Sequence, residues 1–189
     1  MPLRDFVDRH PRIIGQMLLA KRHDRVAHAF LFSGDQAALL QGMVTAWLQV
    51  CACRSPLSDG DACGACPPCV QLATGHYPYL NVVQPRSRLR LILVDQIRQV
   101  EHQLFLKSAG ELKICLILDA HRMNVEAQNA FLKTLEEPSP LTLLVLVSSL
   151  PGALLPTIVS RCQRISLMEN RVEYEWPQRP ATLQALHLL

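Results

Sequence analysis

The sequence FLFSGDQAALLQGMV, residues 30–44, decides the fold because it joins a buried strand to a helix through a short glycine turn. Backbone N–H groups and a lysine hold nucleotide phosphates in this strand–glycine loop–helix layout. The chain has no lysine between Lys21 and Lys107. Gly34 and Gly42 therefore mark a degenerate phosphate-binding loop, at which we expect no ATP to bind.

Strand-like and helical segments alternate along the rest of the chain. Helices are predicted at 11–23, 38–52, 94–106 and 124–137, and further strands at YLNVVQ (79–84), KICLILDA (113–120) and LTLLVLVSS (141–149). These strands are apolar on both faces, which predicts an α/β fold with a mainly parallel sheet between two helical layers. Ligands of such sheets bind at the carboxyl ends of the strands, where Gly34, Asp119 and Ser148 fall.

Composition and charge narrow the functional classes. The 189 residues are 49% hydrophobic and 19% charged, as in ordinary globular proteins. The net charge of +3 is too small to indicate nucleic-acid binding by itself. No window reaches the roughly 18 apolar residues of a membrane span, so we expect a cytoplasmic protein with reduced cysteines.

The sharpest local signal is a group of four cysteines, Cys53, Cys63, Cys66 and Cys69, within the irregular segment 53–69. Four thiolates at this spacing can close a tetrahedral zinc site, which is structural because no position stays open for water or substrate. An iron–sulfur cluster is the alternative, but the C-x3-C-P continuation of ferredoxins is absent. Cys51 competes with Cys53 for the fourth ligand position.

The polar residues at the strand ends give no complete catalytic set. KICLILDA has the form of an ATPase strand that ends in a magnesium-binding Asp, but Ala120 follows Asp119 where a catalytic Glu is expected. We therefore assign Asp119 a structural role at the strand end. Glu136 and Glu137 end a helix, where the helix dipole disfavours acidic residues, and this weakly indicates a partner.

Arginines are the remaining candidates for binding. Arg86, Arg88 and Arg90 form the densest basic cluster, which we interpret mainly as a solvated edge because no aromatic residues alternate with them. On spacing alone, Arg161 in Ser-Arg-Cys (160–162) is a surface arginine.

Taken together, these motifs closely resemble the clamp-loader ATPases of bacterial DNA polymerase III, members of the AAA+ class. The resemblance covers about residues 10–167 and includes RVAHAFLFSG, the four-cysteine insert, VDQIRQV, ICLILDAHRMNVEAQNAFLKTLEEPSP and LPTIVSRCQRI, in the family's order. The combination of AQNAFLKTLEEPSP with the later SRC is highly specific. Within the family, the degenerate loop and Ala120 resemble the delta-prime subunit rather than the ATP-hydrolysing gamma/tau subunit.

The resemblance implies a P-loop-NTPase-like domain over 1–167 with a zinc module at 53–69. It implies no intrinsic ATPase activity, with Arg161 acting as an arginine finger in the ATP site of a neighbouring subunit and Ser160 and Cys162 completing its motif. Cys53, Cys63, Cys66 and Cys69 become ligands of structural zinc, and Ser148 takes a sensor-like position.

The implied partners are the gamma/tau and delta subunits and, through the complex, the sliding clamp and primed DNA within the DNA-directed DNA polymerase III holoenzyme. Residues 168–189 are expected to begin a lid domain or to form a tail, without the family's C-terminal collar domain. The family's HPD is replaced here by HYPYL (76–80). Two alternatives stay open: an active ATPase of the gamma/tau type, and a zinc-stabilised DNA-binding module that uses Arg86, Arg88 and Arg90.

Overall fold

A five-stranded, fully parallel sheet organises the chain in a computed structural model that describes residues 2–86, 89–106, 108 and 110–167. The strands are β1 (Ala29–Ser33), β2 (Leu80–Val83), β3 (Lys113–Ile117), β4 (Thr142–Ser148) and β5 (Gln163–Ser166). Their order across the sheet is β2-β3-β4-β1-β5. The predicted parallel α/β architecture is confirmed.

Six α-helices in the described part of the chain connect and cover the strands. They are α1 (Pro11–Arg22), α2 (Ala37–Ala52), α3 (Pro67–Ala73), α4 (Val94–Phe105), α5 (Val125–Glu136) and α6 (Pro156–Val159). Short 3₁₀ helices lie at Leu3–Phe6, Ala120–Arg122 and Pro151–Ala153. Asn124 caps α5, because its Oδ1 accepts a hydrogen bond from the Ala127 N–H at 2.9 Å.

Two apolar cores lie on opposite faces of the sheet. Successive side chains of β1 alternate between them: Phe30 and Phe32 pack with α1, α2 and α3, whereas Leu31 packs with α4, α5 and α6. Phe30 meets Trp47 of α2 edge to face, with ring centroids 5.2 Å apart. Every residue of β1 is buried, which is why its sequence is continuously apolar.

Several element boundaries differ from the sequence prediction. Strand β3 ends at Ile117 rather than at Asp119, whose left-handed backbone, with φ of 50°, starts the following 3₁₀ turn. Helix α3 begins at Pro67, inside the segment predicted to be irregular, since proline suits the first turn of a helix. Helix α4 ends at Phe105, one residue earlier than predicted.

A buried carboxylate fixes the N-terminal 3₁₀ helix to the cysteine-rich loop. Asp61 is fully buried and accepts hydrogen bonds from the backbone N–H groups of Leu3 at 3.2 Å and Arg4 at 3.1 Å. The Arg4 Nε lies 3.4 Å from the same carboxylate. The charge is therefore neutralised and hydrogen-bonded, as a buried carboxylate must be.

A buried amide joins α5 to the segment that leads into α6. The Gln128 side chain accepts a hydrogen bond from the Leu155 N–H at 2.7 Å and donates one to the Met123 carbonyl at 3.0 Å. Gln128 is 4% exposed, so water cannot replace these bonds readily. This contact holds residue 155 against α5.

We predict that Gln128→Ala lowers the free energy of unfolding by about 1–3 kcal/mol, because it leaves the part-buried Leu155 N–H and the buried Met123 carbonyl without their partner. Urea denaturation followed by circular dichroism measures this change. Gln99→Ala, at an exposed position of α4, is the matched control and should change stability by less than about 0.5 kcal/mol. Equal stability of the two variants would contradict the prediction.

Candidate functional site: cysteine centre, strand-end groove and arginine loop

The four predicted cysteines converge on one point. The sulfur atoms of Cys53, Cys63, Cys66 and Cys69 all lie within 4.8 Å of one another, and those of Cys53 and Cys66 are 3.9 Å apart. A tetrahedron of sulfurs about 2.3 Å from a zinc ion has edges of about 3.8 Å. The cluster could therefore hold a metal ion and is consistent with zinc.

The local backbone brings these sulfurs together. Cys53 follows the end of α2, Cys66 is the N-cap of α3, and Cys69 lies in the first turn of α3. The Cys63 N–H points to the Cys53 sulfur at 3.4 Å, and the Cys66 N–H points to the Cys63 sulfur at 3.3 Å. These N–H groups stabilise thiolates, the form in which cysteine binds metals.

The electrostatic surroundings of the four thiols differ. Hydrogen bonds from the backbone of Ala65 and Cys66 lower the pKa of Cys63 to about 6. Burial raises the pKa values of Cys53 and Cys69. A metal ion would displace these protons, so metal affinity is expected to rise with pH as the thiols ionise.

Cys51 lies outside the cluster. Its carbonyl accepts a hydrogen bond from Lys21 Nζ at 3.2 Å, and burial raises the pKa of its thiol to about 12. All seven cysteines are free of disulfides. The geometry thus groups Cys53, rather than Cys51, with the three downstream cysteines.

The predicted strand-end residues line one groove. Its volume is about 770 Å³, and its walls include Gly34, Asp119 and Ser148 at the carboxyl edge of the sheet. Leu116 and other apolar residues of α2, α3, β2, β3 and β4 also line it. Among the described residues that line the groove, none is Lys or Arg, whereas Asp35 and Asp119 are acidic. Such a surface offers little to a polyphosphate.

The two glycines of the degenerate loop have different surroundings. A Cβ on Gly34 would lie 3.3 Å from Leu40 and 3.4 Å from Leu167, so the turn is packed tightly by the chain's own side chains. Gly42 belongs to α2 rather than to the loop, and its Cβ would lie 3.2 Å from the ring of Phe6. Gly42 thus lies in the helix predicted over 38–52, and its lack of a side chain leaves room for Phe6 of the N-terminal 3₁₀ helix.

The Ser148 hydroxyl forms hydrogen bonds to other residues of the chain. Its hydroxyl lies 3.3 Å from Nδ1 of His121 and accepts a hydrogen bond from the Leu150 N–H at 3.1 Å, and the residue is 1% exposed. Burial lowers the pKa of His121, Arg122 lowers it further, and Asp119 opposes both. Neutral imidazole at this position suits a hydrogen bond with the serine hydroxyl.

Arg161 lies on the exposed turn between α6 and β5. Its Nη2 lies 2.6 Å from the Glu136 Oε1, and its Nη1 donates to the Thr157 carbonyl at 3.0 Å. The Ser160 hydroxyl donates to the same carbonyl at 3.1 Å. Cys162 points into the core, where burial raises its thiol pKa to about 12. The motif thus places the exposed guanidinium of Arg161 next to the buried side chain of Cys162.

The sheet topology separates Arg161 from the groove. Arg161 precedes β5, at the amino edge of the sheet, whereas Gly34 follows β1 at the carboxyl edge, and these strands are parallel neighbours. The four residues of β5 extend about 13 Å at roughly 3.3 Å per residue. An anion bound by Arg161 would therefore come from outside the groove of this chain.

Of the other basic candidates, the structure describes Arg86 and Arg90. Arg86 is exposed beside a polar groove at the edge of β2, and Arg90 is exposed with φ of 54°. Arg88 lies outside the described residues, as do residues 168–189, on which the prediction of a lid domain or tail falls. No helix among the described parts of the chain is long and apolar enough to cross a membrane.

Sequence reasoning missed the polar residues that fix these sites. The sequence pattern does not distinguish Asp61 and Gln128 from ordinary polar surface residues, because only the fold buries them. Glu136 did carry a signal, namely an acidic residue at a helix C-terminus.

Known proteins are similar in sequence to most of this chain. Delta-prime subunits of DNA polymerase III from Pseudomonas aeruginosa and Bacillus subtilis are 39% and 34% identical to it over 163 and 158 residues, in each case 82% of this chain. The tau subunit from Bacillus subtilis is 30% identical over 74% of this chain and 24% of its own length. The chain spans about half the length of the two delta-prime relatives, 49% and 46%.

Solved structures share the fold. A gamma subunit-related protein of DNA polymerase III from Thermotoga maritima superposes with a TM-score of 0.56 at 24% identity, over 80% of this chain and 45% of its own. A RuvB variant from the same organism gives 0.51 at 13% identity, over 86% of this chain and 44% of its own. These similarities support the predicted P-loop-NTPase-like AAA+ fold. The family described as "DNA polymerase III, delta subunit" matches residues 9–171, and the chain belongs to this family, with relatives named as delta-prime subunits.

Proposed function

We propose that this chain is a non-hydrolysing subunit of the DNA polymerase III clamp loader that presents Arg161 to an ATP site on a neighbouring subunit. The observation that carries the proposal is the position of Arg161, exposed at the amino edge of the sheet and remote from the chain's own degenerate loop. The similarity to delta-prime and tau subunits supports the assembly. The proposed partners are gamma/tau and delta subunits and, through the complex, the sliding clamp and primed DNA.

The chemistry in this role is electrostatic. Negative charge on the transferring phosphoryl group is stabilised by a guanidinium placed beside it, and the donor need not belong to the subunit that binds ATP. In other phosphoryl-transfer systems such a finger accelerates the reaction by about 10³–10⁵, which corresponds to about 4–7 kcal/mol. The chain's own groove offers no comparable cation among the residues described.

The cysteine centre has a structural role in this proposal. We propose zinc as its metal, because four thiolates with about tetrahedral spacing leave no coordination position for a substrate. The metal would join the end of α2 to the start of α3 and thereby fix the loop that carries Asp61.

Arg161→Ala is expected to lower ATP hydrolysis by the reconstituted clamp loader at least tenfold at the site it contacts, because the transition-state charge loses its cation. Steady-state phosphate release in the presence of clamp and primed DNA measures this. Arg98→Ala, which removes an exposed arginine on α4, is the matched control and should leave turnover unchanged. Co-purification with the partner subunits verifies assembly, and unchanged turnover in an assembled Arg161→Ala complex would remove the finger role.

The isolated chain is expected to show no saturable ATP binding up to millimolar concentrations with Mg²⁺, since the groove has two aspartates and the loop lacks a lysine. Fluorescence anisotropy with a labelled ATP measures this, and a gamma/tau-type subunit is the positive control. Saturable binding would contradict the proposal and favour a nucleotide-dependent switch.

The purified chain is expected to contain one zinc ion, and Cys66→Ser is expected to lose it and to destabilise the segment 53–69. Elemental analysis gives the metal content, and hydrogen exchange reports on the segment. Cys51→Ser is the matched control, because Cys51 lies outside the cluster, and it should keep the metal. Iron, or no metal, in the unmodified chain would overturn the assignment.

A further inference from the structure

Glu136 forms an ion pair with Arg161 at the carboxyl end of a helix, a position that disfavours acidic residues. Glu136 is the last residue of α5, where the partial negative charge of the helix end disfavours a carboxylate. The guanidinium of Arg161 lies 2.6 Å from this carboxylate and supplies the compensating positive charge. The unusual acid at the helix end is thus explained by a partner within the same chain.

Two acceptors on different elements fix the plane of the guanidinium. Glu136 on α5 binds Nη2, and the Thr157 carbonyl on α6 binds Nη1. An arginine has five N–H donors in a rigid planar fork, so these two contacts leave other donors free for a further anion. The side chain is therefore oriented without being saturated.

Buried polar contacts hold the chain just after the carboxyl end of α5. Ser139, three residues after Glu136, accepts a hydrogen bond from the buried Lys113 Nζ at 3.0 Å and donates one to the Leu104 carbonyl at 2.8 Å. At the other end of α5, Gln128 holds the Leu155 N–H. The segment 155–161 is thus attached to α5 at both ends.

The pair is exposed, which limits its strength. The side chains of Arg161 and Glu136 are 38% and 49% exposed, so the ion pair contributes little to stability and can rearrange when a more highly charged phosphate approaches. Its effect lies in restricting the rotamers of a long side chain before the neighbouring subunit docks.

We propose that Glu136 is a positioning residue that orients Arg161 for the neighbouring ATP site; this inference rests on the finger role proposed above. Glu136 touches neither ATP nor the reacting atoms. It acts through Arg161 alone, so its contribution disappears when Arg161 is absent.

The test compares Glu136→Gln with Glu137→Gln in the reconstituted clamp loader, each alone and with Arg161→Ala. Gln keeps the size of Glu and removes the charge, and Glu137 is the adjacent exposed acid. We expect Glu136→Gln to lower kcat about 3- to 10-fold with little change in KM for ATP, and to have no further effect in the Arg161→Ala background. Glu137→Gln should leave kcat unchanged.

The outcomes distinguish the two proposals. If Arg161→Ala lowers kcat but Glu136→Gln equals Glu137→Gln or is faster than the unmodified complex, the positioning role is wrong and the finger role stands. An additive effect of Glu136→Gln in the Arg161→Ala background also overturns the positioning role. If Arg161→Ala itself has no effect, the finger role fails and Glu136 has no site to serve.

A second measurement needs only the chain. NMR of the ¹⁵N-labelled arginine side chains reports rotation of the Arg161 guanidinium, which we expect to be slow in the unmodified chain and in Glu137→Gln and fast in Glu136→Gln. Equally fast rotation in all three proteins would show that Glu136 does not restrain the Arg161 guanidinium. The positioning role would then be wrong, whatever the ATPase result.

Discussion

The burial of β1 on both faces is the constraint on which the positions of both strand-edge sites depend. With β4 on one side and β5 on the other, all in parallel, this strand can be followed only by connections that cross a face of the sheet. Every strand therefore ends at one edge, and every connecting helix returns to the other. The groove lies at the first edge, and Arg161 with Glu136 lies at the second. Separation of the degenerate loop from the exposed arginine is thus a property of the topology.

Buried polar contacts fix the segments that the sheet leaves free. Asp61 holds Leu3 and Arg4, so the N-terminal 3₁₀ helix is attached to the cysteine loop rather than to a strand. Phe6 of that helix then packs against Gly42. If a metal orders the cysteine loop, part of the free energy of metal binding stabilises packing outside the loop. The reason is that the Asp61 carboxylate can accept the hydrogen bonds of Leu3 and Arg4 only while the loop is folded.

The strands and long helices were predictable from the sequence, because both core faces demand apolar residues at regular spacing and Asn124 is a strong cap. The cysteine cluster was predictable because its four cysteines are close in sequence. The contacts of Asp61 and Gln128 were not, since each spans tens of residues and depends on the fold. The start of α3 at Pro67 had a signal, proline in a first helical turn, which the cysteine-rich surroundings obscured. The pairing of Glu136 with Arg161 links the two motifs whose combination was the most specific part of the sequence, but only the fold shows that they touch.

The turn at Gly34 is packed by side chains of the same chain. In a phosphate-binding loop, glycine lets the backbone approach the phosphates. Here a Cβ at Gly34 would lie 3.3 Å from Leu40 in the following helix and 3.4 Å from Leu167, the residue after β5. Ser148 at the next strand end is likewise occupied by His121 and the Leu150 N–H. Packing within the chain thus accounts for part of the shape of this turn, and the missing lysine is the more informative feature for nucleotide binding.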